Sequence, residues 1–315
     1  MILLKQICLE VEKRCSSVDR LSIDDTDFII GRTANSDDTS IYLVLDSLEG
    51  RECVGHWLWE CSIYVPFFKR LQMIYPTLKL LMNGYKRYKE QFCEILGVDK
   101  SYIEYESDID VYRPTVAGRD ISAELYYPLC KEYTVIVPRY TYLLLLSICE
   151  DSEFRDLFRK MKELFPLTPA ITKSVSCIYM IRSNTSDTYA RGSGIRDFLN
   201  LNDVVNTVKS YSIPIYDVKD FTSLREQISV VERAKVIIVE HGSAWFINAI
   251  LFARGAHIIV LNKLPIGCIE LEDQLSIESG NTYEFIESSL DWRNIVIPLD
   301  KLDRAITKSV KGVDI

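Results

Sequence analysis

Residues Lys235-Val-Ile-Ile-Val-Glu240 form an unbroken apolar run between two charges, and His241-Gly242-Ser243 follows at once. A strand with one face in water alternates polar and apolar residues. An unbroken run fits a strand buried on both faces, as in a parallel sheet covered by helices. The flanking sequence agrees. Residues 175–181 are β-rich, and 196–211 carry helical spacing at Phe198, Leu199, Val204, Val205 and Val208. Residues 213–218 read as a short strand. Thr222 onward opens a helix in which Ser223 caps and Glu226 answers it as a capping box. A helix from Trp245 to Phe252 and a strand at 257–261 complete the series. Strands alternating with helices predict a Rossmann-like α/β layer structure.

The first half alternates with less regularity. Strands are expected at 41–45, 78–82 and 133–137, the last stopped by Pro138, and helices at 53–73 and 86–96, the latter ended by Gly97. Residues 150–164 have helical spacing and run into Pro166-Leu-Thr-Pro169, which reads as a connector. With 315 residues the chain has room for about two domains. They are expected at 1–165 and 166–315, with a last helix over 299–310.

Charge and cysteine usage remove several function classes. With 37 Lys plus Arg against 45 Asp plus Glu, the net charge is −8. A general nucleic-acid binder needs a basic face instead. Nine cysteines occur without a C-x-x-C pair and with only three His, which disfavours a zinc cluster. Free thiols in apolar surroundings fit a reducing compartment. Residues 1–10 read as a first strand rather than a secretory signal. The most apolar stretch, 140–149, has about half the length that spans a bilayer. A soluble, cytoplasmic protein without a membrane span is expected.

A Rossmann-like layer suggests a nucleotide ligand, but the familiar phosphate loops are missing. The only Gly-x-Gly is Gly192-Ser-Gly194, and Asp197 stands where a dinucleotide fingerprint has its third glycine. Neither a G-x-x-x-x-G-K-[ST] loop nor a G-x-S-x-G elbow occurs. A phosphate here would rest on arginines and helix amino ends. Arg182 falls at the carboxyl end of a predicted strand, with Arg191 in the next loop and Arg196 at a predicted helix head. Guanidinium forks grip two phosphate oxygens at once, although an arginine at a helix start is also an ordinary surface charge. His241-Gly242-Ser243, between a buried strand and a helix, puts an imidazole and a permissive backbone at one crevice.

These blocks resemble glycosyltransferase family 61. The resemblance rests on Arg182-Ser183, on Arg196-Asp-Phe-Leu-Asn200 with Asp203, on Glu226-Gln227, and on Ala234 through His241-Gly-Ser. His56-Trp57-Leu58-Trp59-Glu60 is similar to the family's His-Trp-x-x-Glu helix start. Lys79-Leu-Leu-Met-Asn and Ile95-Leu-Gly97 also fit, so the likeness covers roughly residues 50–262. The sequence departs from the pattern at Ser243-Ala-Trp245, at Glu240, where a small residue or Pro is commoner, and at Val260, where Glu is frequent.

The resemblance implies a GT-B fold of two facing Rossmann-like domains with parallel sheets, the second holding the nucleotide sugar. It implies inverting transfer from a UDP-sugar, xylose or N-acetylglucosamine being the expected sugars, to a hydroxyl of an oligosaccharide or glycoprotein glycan. The UDP-sugar is a co-substrate, and neither cofactor nor obligatory metal is implied. Arg182, Arg196 and the turn His241-Gly242-Ser243-Ala244 would carry the diphosphate, with Arg191 near and Ser183 adding a hydroxyl. Glu226 would face the nucleoside, and its capping role explains it equally well. An inverting transferase needs a base for the acceptor hydroxyl. His56 and Glu60, four apart on one helix face, are the candidates: either could be the base, or Glu60 could orient His56, or the segment could be a packing cluster. The acidic clusters Asp24, Asp25, Asp27 and Asp108-Ile-Asp110 are expected in solvated loops, without a metal. A non-catalytic nucleotide- or glycan-binding relative is the alternative, and a GT-B-like epimerase a weaker third.

Overall fold

The computed structural model describes residues 17–24, 26–32, 37–45, 62–82, 86–105, 133–138, 163, 176–181, 197–217, 220–240, 249, 251–262, 280–288 and 294–311. The chain divides into two compact units, Met1–Phe165 and Pro166–Ile315.

The first unit is built on a six-stranded sheet. In chain order its elements are β1 (Ser17–Ile23), β2 (Thr26–Arg32), β3 (Asp37–Val44), α1 (Phe68–Ile74), β4 (Leu78–Met82), α2 (Lys86–Ile95), β5 (Ile103–Tyr105) and β6 (Tyr133–Pro138). The strand order is β1-β2-β6-β3-β4-β5. From β6 to β5 all neighbours run parallel, as expected of an α/β layer, but β1 and β2 form an antiparallel hairpin at one edge. That hairpin is absent from the sequence reading. It corrects the placing of Asp27, which lies in β2 rather than a loop and accepts a hydrogen bond from Ser22 Oγ at 2.8 Å. Asp24 does sit at the turn, with φ +48°, and pairs with Arg70 on α1.

The helix expected over 53–73 is also corrected within the described residues. Ser62–Phe67 is a 3₁₀ segment containing Pro66, and regular α-helix starts only at Phe68. A proline has no N–H to give to the preceding turn and its ring crowds that turn's carbonyl, which interrupts regular α-helix. Its buried Tyr64 and Phe67 place their rings edge-on to Phe28 of β2, at 6.3 and 5.6 Å. The stop at Gly97 follows expectation. Gly97 has φ +79°, its N–H reaches Glu94 O at 2.9 Å, and the next N–H, of Val98, reaches Cys93 O at 2.9 Å. These are the two bonds of a Schellman end, which glycine closes without the clash a side chain meets.

The second unit contains β7 (Cys177–Ile181), β8 (Asp197–Phe198), α3 (Leu201–Ser210), β9 (Ile215–Asp217), α4 (Leu224–Val231), β10 (Val236–Glu240), β11 (His257–Leu261), β12 (Thr282–Ile286), β13 (Asn294–Ile295) and α5 (Leu299–Val310). Five of these strands form a wholly parallel sheet, β12-β11-β10-β7-β9. Every residue of β10 is buried, as the unbroken apolar run requires. Alternate positions split between the faces. Cys177, Tyr179, Val236, Ile238, Ile259 and Leu261 share a core with Val204 and Val208 of α3 and with Leu302, Ala305 and Ile306 of α5. The docking of α5 is reinforced by Tyr211, whose hydroxyl lies 2.7 Å from both Asp303 Oδ1 and Thr307 Oγ1.

One boundary near the candidate site is corrected. The helix expected from Arg196 begins at Leu201, so Arg196 is not at its head. Residues 197–198 instead pair in parallel with Asn294–Ile295 as a separate two-stranded sheet. Leu199, expected on the apolar helix face, therefore lies outside the helix and is 62% exposed. Val204 and Val208 are buried as expected.

Candidate functional site

The strands of the second sheet, numbered by their order along the chain, run 2-1-3-4-5 across it. The chain thus proceeds outward in one direction from β7 to β9, then returns to the other side of β7 and continues outward through β10, β11 and β12. In such sheets the two connections leave the carboxyl ends of the central strands on opposite faces. Open α/β sheets bind their ligands at such a reversal, which falls between β7 and β10 in this chain.

The ends of the strands are level. Val239 is opposite Met180, Glu240 opposite Leu261, Ile181 opposite Asp217, and Leu261 opposite Ile286. Ile181 and Glu240 therefore close β7 and β10 side by side. In the sequence the next residues are Arg182-Ser183 after β7 and His241-Gly242-Ser243-Ala244 after β10. Those six, together with His56, Glu60, Arg191 and Arg196, lie outside the described residues. So do Asp25, Asp108 and Asp110.

The described rim is acidic and largely dry. Glu240 and Asp217 are each only 7% exposed. Tyr179, two residues back on β7 and on the same face, donates its hydroxyl to Glu240 Oε1 at 3.2 Å. Burial pushes the Tyr179 hydroxyl well above its ordinary value, and the neighbouring Glu240 carboxylate adds to the shift. The backbone N–H of Asp217 donates to Asp220 Oδ2 at 2.8 Å. Two buried carboxylates mean that an anion held at this rim needs cations beside it.

Glu226 is the one sequence-predicted site residue that the described residues include. It lies in the first turn of α4, and its backbone N–H donates to Ser223 Oγ at 3.2 Å. Its carboxylate Oε2 accepts from the Thr222 N–H at 2.9 Å and the Thr222 hydroxyl at 3.0 Å. The reciprocal cap expected from the sequence is thus present, with the return bond made one residue earlier than Ser223. All three of these Glu226 contacts serve the helix end.

Two rim residues are not among those the sequence pattern assigns to the site. Glu240 stands out in the sequence only as a departure from a pattern, and the polar end of an apolar run is the signal that marks it. Asn262 directly follows β11, has φ +67° and is buried. An asparagine closing His257-Ile-Ile-Val-Leu261 is a strand-end signal of the same kind, since asparagine tolerates the left-handed region. Among the described residues no group of three or more His, Cys, Asp or Glu could hold a metal ion, and no helix is long and apolar enough to cross a membrane.

Residues 54–259, well over half of the chain, match the family model described as Glycosyltransferase 61. No curated protein matches the sequence.

Proposed function

Because the chain belongs to glycosyltransferase family 61, we propose that it transfers a sugar from a UDP-sugar, xylose or N-acetylglucosamine, to a hydroxyl of an oligosaccharide or glycoprotein glycan. The observation that carries this reading is the pairing of strand ends: β7 and β10 finish side by side where the strand order reverses. Arg182-Ser183 and His241-Gly242-Ser243-Ala244 follow them directly in the sequence. In this reading the chain is a GT-B enzyme whose second unit binds the donor.

The chemistry asked of these residues follows from the charges. In an inverting transfer the acceptor oxygen bonds to the anomeric carbon from the face opposite the nucleotide. The bond from that carbon to the diphosphate oxygen breaks, and UDP leaves with the electron pair. Negative charge grows on the diphosphate as the bond breaks. Fixed cations and N–H groups aimed there stabilise the transition state more than the ground state. Arg182, Arg191 and Arg196 supply guanidinium groups, and the His241–Ala244 turn supplies the imidazole and backbone donors. They also offset the acidic rim formed by Glu240 and Asp217. The acceptor proton passes to His56 or Glu60. Charge neutralisation by arginine makes a metal unnecessary, and the protein works in the cytoplasm.

Release of UDP from a panel of UDP-sugars, with glycan acceptors and EDTA present, tests the reading. Turnover with one donor and acceptor pairing is expected. Arg182→Ala and His241→Ala should weaken UDP binding, whereas His56→Ala and Glu60→Ala should lose turnover with UDP affinity kept. A folded protein that neither binds UDP nor releases it from any donor refutes the proposal.

A further inference from the structure

Asn262 stands at the carboxyl rim of the parallel sheet, one residue past Leu261, which lies opposite Glu240 at the end of β10. Three observations define its setting. Its N–H continues the ladder by donating to Ile286 O at 3.0 Å. Its φ of +67° turns the chain out of the sheet at this point. Its carboxamide oxygen accepts from the Ser288 hydroxyl, beyond the end of β12. Ser288 thereby holds the side chain at its oxygen, and the residue is only 4% exposed.

The other end of the carboxamide is not satisfied. Asn262 Nδ2 is buried and has no hydrogen-bond partner among the described residues. A buried N–H group without a partner costs about 1–3 kcal/mol, so native folds rarely keep one without a use. Neighbouring strands lie about 4.8 Å apart, and Asn262 follows β11 one strand away from Glu240, the last residue of β10.

We infer that Asn262 is a ligand-contacting residue of the donor site, its side-chain NH₂ donating to an oxygen of the bound diphosphate. The inference rests on the nucleotide site proposed above and adds a neutral, pre-oriented donor to its cations. Ser288 is the positioning residue: by occupying the carboxamide oxygen it leaves the NH₂ end to face the ligand. An amide held in one orientation before binding loses little freedom on binding, which favours affinity.

Titration calorimetry with UDP on the full chain tests this, using Asn262→Gly and Asn262→Asp. Glycine keeps the left-handed backbone and removes the donor. Aspartate keeps shape and backbone tolerance but offers the diphosphate an acceptor. Loss of a hydrogen bond to a charged group predicts UDP affinity about 10-fold weaker or more for Asn262→Gly. A larger loss is expected for Asn262→Asp. Uridine, which lacks the diphosphate, should not show this loss. Unchanged UDP affinity in a folded Asn262→Gly protein overturns the inference. So does a variant that only lowers the unliganded melting temperature, because the amide then serves the fold alone. If the unmodified protein fails to bind UDP, the donor-site reading itself is refuted. If it binds UDP and both variants bind equally well, only the role of Asn262 is.

Discussion

Replacing Asn200 separates two accounts of a residue that belongs to the Arg196–Asn200 block. By position Asn200 is the N-cap of α3, and asparagine there normally accepts from a helix N–H. Its side chain makes no such bond. Instead Asn200 Nδ2 donates to Ile297 O at 2.8 Å, and Asn200 Oδ1 accepts from the Ile297 N–H at 3.0 Å. Ile297 is buried, and its segment leads from β13 into α5. Asn200 is a clamp between the start of α3 and the last part of the chain. Asn200→Ala deletes two partly buried hydrogen bonds, each worth about 0.5–1.5 kcal/mol, and no cap. The expected loss is about 2 kcal/mol. With a urea m-value of about 2 kcal/mol/M, the unfolding midpoint of the second unit falls by about 1 M. Asn200→Asp discriminates further. Aspartate is as good an N-cap as asparagine, and its charge suits a helix amino end, so a capping role predicts no loss. The clamp predicts a loss at least as large as for alanine, because a carboxylate oxygen would face the Ile297 carbonyl. Far-ultraviolet circular dichroism in urea reads both variants. An Asn200→Asp midpoint equal to or above that of the unmodified protein refutes the clamp.

Three shorter predictions concern other parts of the chain. Burial lowers the His257 imidazole below its ordinary 6.5, with Lys308 lowering it further and Glu284 opposing. The folded state thus prefers the neutral ring, and this contribution to stability is complete above about pH 6.5 and is lost as pH falls toward the lower folded value. Urea midpoints at pH 7.5 and 5.5 should accordingly differ less for His257→Gln than for the unmodified protein; equal differences contradict the assignment. Gly97→Ala should destabilise the first unit by about 1–2 kcal/mol, because alanine is strained at positive φ, while Gly97→Asn costs less. The Lys69 tip that an added Cβ would meet can swing aside, so crowding adds little. Burial pushes the Cys177 thiol up to about 12 and raises Cys93 further. Iodoacetamide at pH 8 should spare both in the folded protein and label both in urea, as mass spectrometry of the peptides would show.

What the sequence disclosed tracks how strongly burial constrains each segment. Val236–Glu240 and His257–Leu261 were legible because a strand covered on both faces admits little but apolar residues. Gly97 was legible because a left-handed helix end selects glycine. The β1–β2 hairpin was not. The β1 sequence Ser-Val-Asp-Arg-Leu-Ser-Ile is mostly exposed, and the connection uses Asp24 in the left-handed region instead of a glycine. The pairing of β8 with β13 was hidden for another reason. Two residues on each side carry no periodicity, and the Asn200 clamp that accompanies them joins positions 97 residues apart. At the site, chain order pointed to Arg182 and His241, and the reversal of strand order between β7 and β10 supplies a physical reason for pairing them. The unpartnered amide of Asn262 emerges only from hydrogen-bond geometry.

Crystals grown with UDP would decide where the nucleotide sits. Nucleotide density is expected beyond the carboxyl ends of β7 and β10, with the diphosphate against Arg182 and the His241–Ala244 turn. Density for UDP at any other place on the chain, with that crevice empty, would contradict it.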